Sequence, residues 1–268
     1  MNSPPILFDP ARRCKHTANP AHDFLWREGT AILGESLETL TAAFPRILEL
    51  RPRTPHLTAL LHQRPGTERV EPAWLETEML DAAAAGADAV ISNMSLHTIN
   101  DLLGVFIQAR RALKPDGLLL ITLPGARSLH ELRHVLAETE TTLYGGITPR
   151  VAPFVEVRDA GQLLQRAGFA LPVVDSTTLT VTYPDLFALM HELRGAGEAN
   201  PLATRQRRFT PRGFFAAAAA RYAAQHGDGA GGIVATAEII TLSAWAPAAT
   251  QQQPAARGSG THSLTRMF

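Results

Sequence analysis

Polar residues that could take part in chemistry follow an apolar segment near the middle of the chain. The segment, residues 88–93, has the composition of a parallel strand covered on both faces, and Asn93, Ser95 and His97 lie at its end or just past it. Ligands of open α/β sheets bind outside the carboxyl ends of the strands, so these side chains are candidate contacts. His97 could act as a base or hydrogen-bond a substrate, because imidazole titrates near neutral pH. It could also be a packed histidine that donates to a backbone carbonyl at the sheet edge.

A second group of candidates lies on the helix predicted for residues 128–138. Glu131 and Arg133 could clamp a substrate, because arginine binds carboxylates through two parallel hydrogen bonds. Helix capping by Ser128 and Glu131, together with a surface ion pair, accounts for the same residues. Both interpretations stay open at this point.

Tyr144 is a further candidate substrate contact, because two glycines follow it. Gly145 and Gly146 could form the hinge of a lid that closes over a ligand. They could equally form a plain loop turn, since glycine adopts backbone conformations that other residues avoid.

No pattern in the sequence predicts a metal site, a nucleophile elbow or a phosphate loop. The 10 histidines are scattered, and His130 and His134 share a helix face without the HExxH pattern of zinc enzymes. Cys14 is the single cysteine, which excludes an intrachain disulfide and a thiol zinc site and is typical of a reducing compartment. We therefore predict a cytoplasmic protein that holds no metal.

Composition and charge indicate a soluble globular protein. The chain has 268 residues, 45% hydrophobic and 19% charged, so it can bury a full core. Basic and acidic residues number 25 each, whereas a nucleic-acid binder usually has a basic excess. No apolar run is long enough to span a membrane, and the N-terminus lacks a signal-peptide pattern. One late basic cluster is either a solvated face or a contact for an acidic partner or a phosphate: Arg205, Arg207, Arg208 and Arg212.

Strand and helix patterns alternate along the chain, which indicates an α/β protein with a doubly wound, mostly parallel sheet. Asp101 is the expected N-cap of a helix, and the turn Lys114-Pro-Asp-Gly117 leads from that helix to the next strand, which completes a βαβ unit. Residues 234–245 predict a last strand that pairs antiparallel. The other predicted strands are 46–50, 88–93, 118–123, 170–174 and 177–183, and the helices are 55–61, 101–113, 128–138, 159–167, 184–194 and 211–224, with helical spacing also over 23–44.

Three segments of the chain differ in composition. Residues 1–22 are proline-rich and predict an N-terminal arm, and residues 23–246 predict one domain. Residues 247–268, rich in proline, glutamine, glycine and serine, predict a flexible tail.

Several segments carry a family resemblance, and one of them, MHELRGAGEAN at residues 190–200, is long enough to be specific. With them the chain resembles the type 11 S-adenosylmethionine (SAM)-dependent methyltransferases. Among these it is similar to the complex I assembly factor 5 subgroup and its bacterial relatives, which are close to the malonyl-carrier-protein methyltransferase of biotin synthesis. The segments are residues 88–97, 100–101, 112–118, 128–133, 145–146, 149–154, 163–169, 183–184, 190–200 and 257–259.

This resemblance implies a methyltransferase fold with SAM as cofactor and a protein partner such as a respiratory complex I subunit. In the mitochondrial member of the subgroup, the implied activity is hydroxylation of an arginine on a complex I subunit rather than methyl transfer. The implied cofactor contacts are Glu49, Leu50 and Arg51 after the first strand, Asn93, Met94 and Ser95 after the strand at 88–93, and Glu71 as the ribose-binding acid.

The segment after the first strand departs from the family pattern. Family members have a glycine-rich loop there, whose backbone approaches the methionine end of SAM and presents N–H groups to it. This chain has Glu49-Leu-Arg-Pro-Arg-Thr-Pro55 instead. Glu49 keeps the acidic first position, but two prolines remove two N–H donors, and Arg51 and Arg53 would crowd the cofactor unless they swing out.

The spacing of the strands also departs from the family pattern. Roughly 36 residues, from Arg51 to Gly86, separate the first strand from the strand at 88–93, and one βαβ unit takes about 30. A full fold needs two strand-helix repeats in this interval, but only residues 68–71 have a strand pattern. We therefore predict that one strand-helix unit is missing from the first half.

Two functions remain open from the sequence. One is a SAM-dependent enzyme of the methyltransferase family, and the other is a catalytically silent binding or assembly protein that has lost SAM binding. A cleft beyond Glu49 would favour the enzyme, whereas Arg51, Trp74 or Leu75 filling that space would favour the silent protein.

Overall fold

A mixed sheet of six strands lies at the centre of the described part of the chain. The structure, a computed structural model, describes residues 6–13, 19–71, 78–80 and 85–252. In the order β2-β1-β3-β4-β6-β5, the first four strands are parallel, and β6 pairs antiparallel with both β4 and β5. The strands are β1 (Arg46–Glu49), β2 (Glu68–Val70), β3 (Ala87–Asn93), β4 (Leu113–Pro124), β5 (Ala170–Tyr183) and β6 (Ile233–Trp245). The predicted sheet, with its antiparallel last strand, is confirmed.

Helices cover both faces of this sheet. They are α1 (Pro10–Arg13), α2 (Phe24–Thr39), α3 (Pro55–His62), α4 (Leu102–Ala112), α5 (His130–Tyr144), α6 (Val157–Arg166), α7 (Leu186–Gly195) and α8 (Arg212–His226). A short 3-10 turn, Pro20–His22, precedes α2. None of the helices in the described ranges is long and apolar enough to cross a membrane.

Alternating side chains of β4 show how the two faces are built. Leu119 and Ile121 pack with buried residues of α4 and α6, whereas Leu118 and Leu120 pack with buried residues of α2 and α3. Side chains of a strand point alternately to opposite faces, so a continuous apolar run is buried only when both faces are covered. This explains why the central strands are apolar throughout.

A third cluster of buried apolar residues packs against the side of the sheet where β5 and β6 lie. Leu132 of α5, Leu189 of α7 and Phe214 of α8 pack there with Tyr222, which is fully buried. The Tyr222 hydroxyl donates to the Val234 carbonyl at 2.9 Å, so α8 is fixed to the beginning of β6. These helices form a wall beside the carboxyl ends of the parallel strands.

The interval between β1 and β3 holds one strand-helix unit in its described residues. That unit is α3 followed by β2, and β2 pairs parallel to β1 at the edge of the sheet. The predicted loss of one unit agrees with the six-stranded sheet. Trp74 and Leu75, which we considered as residues that fill the space beyond Glu49, lie outside the described residues.

Two local predictions differ from the structure. Residues 170–183 form one strand instead of two, because β5 is an edge strand on which Asp175 and Ser176 are solvated without breaking the pairing with β6. Residues 114–117, predicted as a turn before the strand, lie within β4 at an irregularity in its pairing with β3, and Asp116 rather than Gly117 has a positive φ there, of 63°. The Asp116 N–H donates to the carbonyl of Ala246, the residue after β6, at 3.1 Å.

The N-terminal segment packs against the domain. Phe8 is buried with Ala152 and Leu202, and it forms an isolated antiparallel bridge with Leu202. The boundaries of arm, domain and tail stay predictions. Cys14 and residues 253–268 lie outside the described residues.

Replacement of a buried side chain of α4 should show how much the packing of this helix against the sheet contributes to the free energy of unfolding. We expect Phe106→Ala to lower the free energy of unfolding by about 4 kcal/mol, because a fully buried phenyl ring leaves a cavity. Urea unfolding followed by circular dichroism gives this value. Phe187→Ala, at a side chain that is 52% exposed, is the matched control and should change stability by about 0.5 kcal/mol or less. Equal losses in both variants would contradict the assigned core.

Candidate functional site

The ends of β1 and β3 form the topological switch point of the sheet, where the strand order changes direction. From β1 the chain goes to β2 on one side and then crosses to β3 on the other. Ligands of doubly wound sheets bind in the crevice outside the strand ends at such a switch point. The predicted residues Leu50 and Ser95 meet here. Hydroxyls of Ser92 and Ser95 donate to the Leu50 carbonyl, at 2.9 and 3.3 Å.

Arg51 crosses the crevice at this point. Its guanidinium donates to the Ser95 carbonyl at 2.9 Å, so one side chain connects the two strand ends. Its backbone has a φ of 49°, in the left-handed region that favours glycine. A glycine would leave this space open, whereas Arg51 fills it.

Arg53, two residues further on, contacts the loop after α7. It forms an ion pair with Glu198 and donates to the carbonyls of Ala196 and Gly197, both at 3.3 Å. Its guanidinium lies 5.0 Å from the centre of the Trp26 ring, within range of a cation–π interaction. The loop after β1 is therefore held against the loop after α7.

Glu198 binds two side chains at once. Besides Arg53, it accepts a hydrogen bond from His97 Nε2 at 2.9 Å. Burial would raise the pKa of the Glu198 carboxyl, but Arg53 and His97 outweigh it and hold that pKa well below its ordinary value of 4.5. Glu198 stays ionised, so it accepts from His97 rather than donating. Sequence reasoning missed Glu198, although it lies in the MHELRGAGEAN segment.

The two acidic residues predicted to contact the cofactor both bind Arg69. Glu49 is buried at the end of β1, where it pairs with Arg69 and accepts from the Thr58 hydroxyl at 2.7 Å. Glu71 is exposed and lies 2.9 Å from the same guanidinium. Both carboxylates thus already have a cationic partner in β2.

Asn93 and Met94 fix the end of β3 to α2. The Asn93 amide donates to the Trp26 carbonyl and the Thr30 hydroxyl, both at 2.8 Å. A Cβ on Gly29 would lie 2.2 Å from Asn93 Oδ1, so only glycine allows this approach. Met94 is buried and has a φ of 47°. The Asn93 amide is therefore occupied by the protein itself.

The residues at the switch point differ from those that would hold SAM in the family's manner. The described residues offer no glycine loop there, and Arg51, Arg53 and Glu49 bind other protein groups. The space beyond β1 is filled by guanidinium groups, and the prolines in the loop supply no N–H donors. The residues present do not fit a SAM molecule in the family's manner.

A cavity lies next to this closed crevice, toward β4, β5 and β6. It has a volume of about 120 Å³ and is lined mainly by apolar side chains. Trp26, Phe154 and Tyr183 are among its aromatic walls. Burial, with a contribution from Glu192, raises the pKa of Tyr183 to about 12, so its hydroxyl stays protonated. The cavity can hold a small, partly apolar group.

Three carboxylates, those of Glu192, Glu198 and Glu238, and one arginine, Arg150, are among the residues that line this cavity. Glu238 is buried and accepts hydrogen bonds from the Arg127 N–H at 2.9 Å and the Ser176 hydroxyl at 2.7 Å. No cation of the described residues pairs with Glu238. Glu192 also lines the cavity and hydrogen-bonds His22 at 2.5 Å.

His97 lines the same cavity with one ring nitrogen unused. Its Nε2 is bonded to Glu198, and its ring centre lies 6.0 Å from that of Phe154. Its Nδ1 is buried and has no hydrogen-bond partner in the described part of the chain. Of the two interpretations of His97, the histidine bonded to a backbone carbonyl is wrong, because its partner is a carboxylate. A role in binding substrate stays a prediction.

Glu131 and Arg133 do not form a clamp in this structure. Glu131 is buried and accepts from the N–H and the hydroxyl of Thr236. Arg133 contacts the carbonyls of Ala126 and Ala152, both at 3.4 Å, and burial lowers its pKa. Neither residue is among those that line the cavity.

The predicted capping box at the start of α5 is wrong. The residue before the helix is Leu129, and it makes no side-chain cap. The Ser128 hydroxyl instead donates to the Glu238 carbonyl at 3.1 Å and accepts from the Glu238 N–H at 2.9 Å. Pairing with β6 therefore takes the hydroxyl that a cap would need.

Tyr144 lies at the far end of α5. Its ring is 54% exposed and stacks on Phe214 at 6.1 Å between centres. Gly145 has a φ of 69° and ends α5, with its N–H donating to the Thr141 carbonyl. Tyr144 is not among the residues that line the cavity.

The Glu198 network should make stability depend on pH. The pKa of Glu198 is lower in the folded state than its ordinary value of 4.5, so the ionised carboxylate stabilises the fold. This stabilisation is complete well above pH 4.5 and is lost as the pH falls through the lowered pKa. We expect Glu198→Gln to lower the free energy of unfolding by about 3 kcal/mol at neutral pH, because it removes the carboxylate that pairs with the largely buried Arg53 guanidinium. Denaturant unfolding of both proteins from neutral to acidic pH measures the difference, which should narrow with acidification. Glu28→Gln, on the exposed face of α2, is the control, and a difference that does not change with pH would contradict this account.

Arg51 offers a direct test of the backbone strain at the switch point. Arg51→Ala and Arg51→Gly remove the same hydrogen bond to Ser95, but only glycine relieves the positive φ. We expect the glycine variant to be more stable than the alanine variant by about 1 kcal/mol. Thermal and urea unfolding of the two variants measure this. An alanine variant at least as stable as the glycine variant would show that the loop has relaxed out of the left-handed region.

A family model and several curated proteins match the chain. Residues 4–172 match the model of a methyltransferase domain. The chain is 42% identical over 173 residues to the mitochondrial arginine-hydroxylase NDUFAF5 of Dictyostelium discoideum, a match that covers 64% of this chain and 39% of the relative. It is 40% identical over 177 residues to the human protein of the same name, covering 66% and 51%. It is also 39% identical over 173 residues to the malonyl-[acyl-carrier protein] O-methyltransferase of Xylella fastidiosa, covering 64% and 56%.

Solved structures agree with the fold. A methyltransferase-like structure from Bacillus halodurans aligns with a TM-score of 0.51 at 13% identity, and the alignment covers 82% of this chain and 100% of that one. At this identity the likeness shows the fold alone. The chain spans about half the length of the curated relatives it matches, between 39% and 56% in the three cases above.

Proposed function

The chain belongs to the methyltransferase domain family, and from this premise we propose that it is a partner-binding protein that has lost SAM binding. One observation carries the proposal: Arg51 and Arg53 occupy the switch point and bind Ser95 and Glu198 across it. The cavity beside the switch point stays available, so binding of a protein group there does not require the cofactor.

Energetics support a large loss of SAM affinity. The glycine loop of the family would supply N–H donors to a charged ligand, and such hydrogen bonds contribute about 1.5–3 kcal/mol each. Losing two of them costs about 3–6 kcal/mol. A loss of about 4 kcal/mol weakens a micromolar complex to a millimolar one. Displacing Arg51 and Arg53 from their partners would add to this cost.

The chemistry of the cavity favours a basic side chain of a partner protein as its ligand. Glu238 presents a buried carboxylate with no cationic partner among the described residues, and the Phe154 ring, which also lines the cavity, can attract a cation. Two of the relatives above are named arginine-hydroxylases, which supports an arginine side chain as that ligand. The resemblance to the complex I assembly factor 5 subgroup supports a respiratory complex I subunit as the partner.

Calorimetric titration with SAM and with S-adenosylhomocysteine tests the loss of cofactor binding. We expect no heat of binding up to millimolar ligand, because the arginines exclude the cofactor from the switch point. A SAM-binding methyltransferase of the same fold, titrated in the same buffer, is the positive control. Micromolar affinity would overturn the proposal and make the chain a SAM-dependent enzyme whose acceptor should then be sought.

A further inference from the structure

A second concavity, which we call the arginine cleft, is lined by residues of α1, α5, α7 and α8 and of the segments that follow α5 and α7. Its volume is about 590 Å³. Its rim is basic and consists of Arg12 of α1, Arg150, Arg194 of α7, Arg205 and Arg207. These residues come from four separate parts of the chain, so the fold rather than a sequence run concentrates the charge.

Most of this positive charge is not neutralised within the protein. Two of the five rim arginines have a carboxylate partner: Arg205 pairs with Asp9 and Arg150 with Glu140, both at 3.0 Å. Glu198, the other acidic residue of the cleft, binds Arg53 and His97. In the described part of the chain, no carboxylate pairs with Arg12, Arg194 or Arg207, and all three are exposed. Three guanidinium groups therefore face one cleft without a counter-charge.

The floor of the arginine cleft is apolar. Leu136 of α5, Met190 of α7 and Phe215 of α8 line it below the basic rim. An anionic small molecule would use the rim alone, whereas a peptide with an apolar side chain among acidic ones would use both. Guanidinium groups bind carboxylates through paired hydrogen bonds, and a flexible methionine adapts to the shape of an apolar anchor.

The cleft adjoins the cavity of the proposed function. Leu132, Val151 and Glu198 line both of them. If a peptide segment binds in the cleft, the residues next to that segment in its own sequence therefore lie close to the cavity.

We propose that the arginine cleft binds an acidic segment of the partner protein that carries an apolar anchor. This inference deepens the proposed function and rests on it, because the bound segment would direct a partner side chain toward the cavity. A protein segment fits better than a nucleic acid, since the whole chain has no net charge and the floor of the cleft is mostly aliphatic rather than built for base stacking.

Fluorescence anisotropy with the full chain tests this inference. The probe is a fluorescein-labelled peptide of alternating glutamate and leucine, and the matched peptide has glutamine in place of glutamate. We expect the acidic peptide to bind, the glutamine peptide to bind at least about 10-fold more weakly, and added salt to weaken binding, because the rim supplies ionic contacts. The double variant R194E/R207E should lose at least about 10-fold in affinity, because charge reversal replaces attraction with repulsion.

The double variant R158E/R166E is the matched control, because it makes the same charge change on two exposed residues of α6 that do not line the cleft. Unchanged peptide affinity in R194E/R207E, or an equal loss in R158E/R166E, would overturn the inference. A short RNA that binds more tightly than the peptide through Arg194 and Arg207 would also overturn it. The SAM titration is read separately: micromolar SAM binding refutes the proposed function whatever the peptide does, and a failed peptide titration leaves the closed switch point standing.

Discussion

The carboxylate of Glu198 is the contact on which the arrangement around the switch point depends. It accepts from Arg53 in the loop after β1 and from His97 in the loop after β3, and it lies itself in the loop after α7. Three loops that leave different elements therefore meet at one charge. Because these groups are largely buried, loss of the carboxylate would remove the ion pair of Arg53 and the hydrogen bond of His97, and the loops would lose their common attachment.

The closed crevice follows from a change of residue type in a few positions. Where a glycine loop would keep the strand ends apart for a ligand, Arg51 connects them by its bond to Ser95. Arg69 has a related effect at the sheet edge, since it neutralises Glu49 within the protein. Charges that a ligand could have satisfied are satisfied internally, so the edge of the sheet is stable without a cofactor. The wall of α5, α7 and α8 packs through an apolar cluster of its own, and residues of these helices line the cavity and the arginine cleft.

The fold and the site differ in how far the sequence predicted them. The alternation of β3, α4 and β4, the antiparallel β6, and the shortened interval before β3 were all predictable, because side-chain periodicity and turn chemistry act over a few residues. The division of residues 170–183 into two strands failed, since the solvated edge of β5 tolerates Asp175 and Ser176. The capping box failed because the Ser128 hydroxyl is bonded to Glu238, 110 residues away.

The sequence by itself determined that the glycine loop is absent, that guanidinium groups replace it, and which polar residues end β3. Only the tertiary structure decided what those groups bind. Arg53 and Glu198 are separated by 145 residues, and His97 and Glu198 by 101. No local pattern specifies such pairs, because they depend on where the sheet and the α5, α7 and α8 wall place their loops. The same is true of the arginine cleft, whose arginines are scattered along the chain and face one another only after the helices have packed.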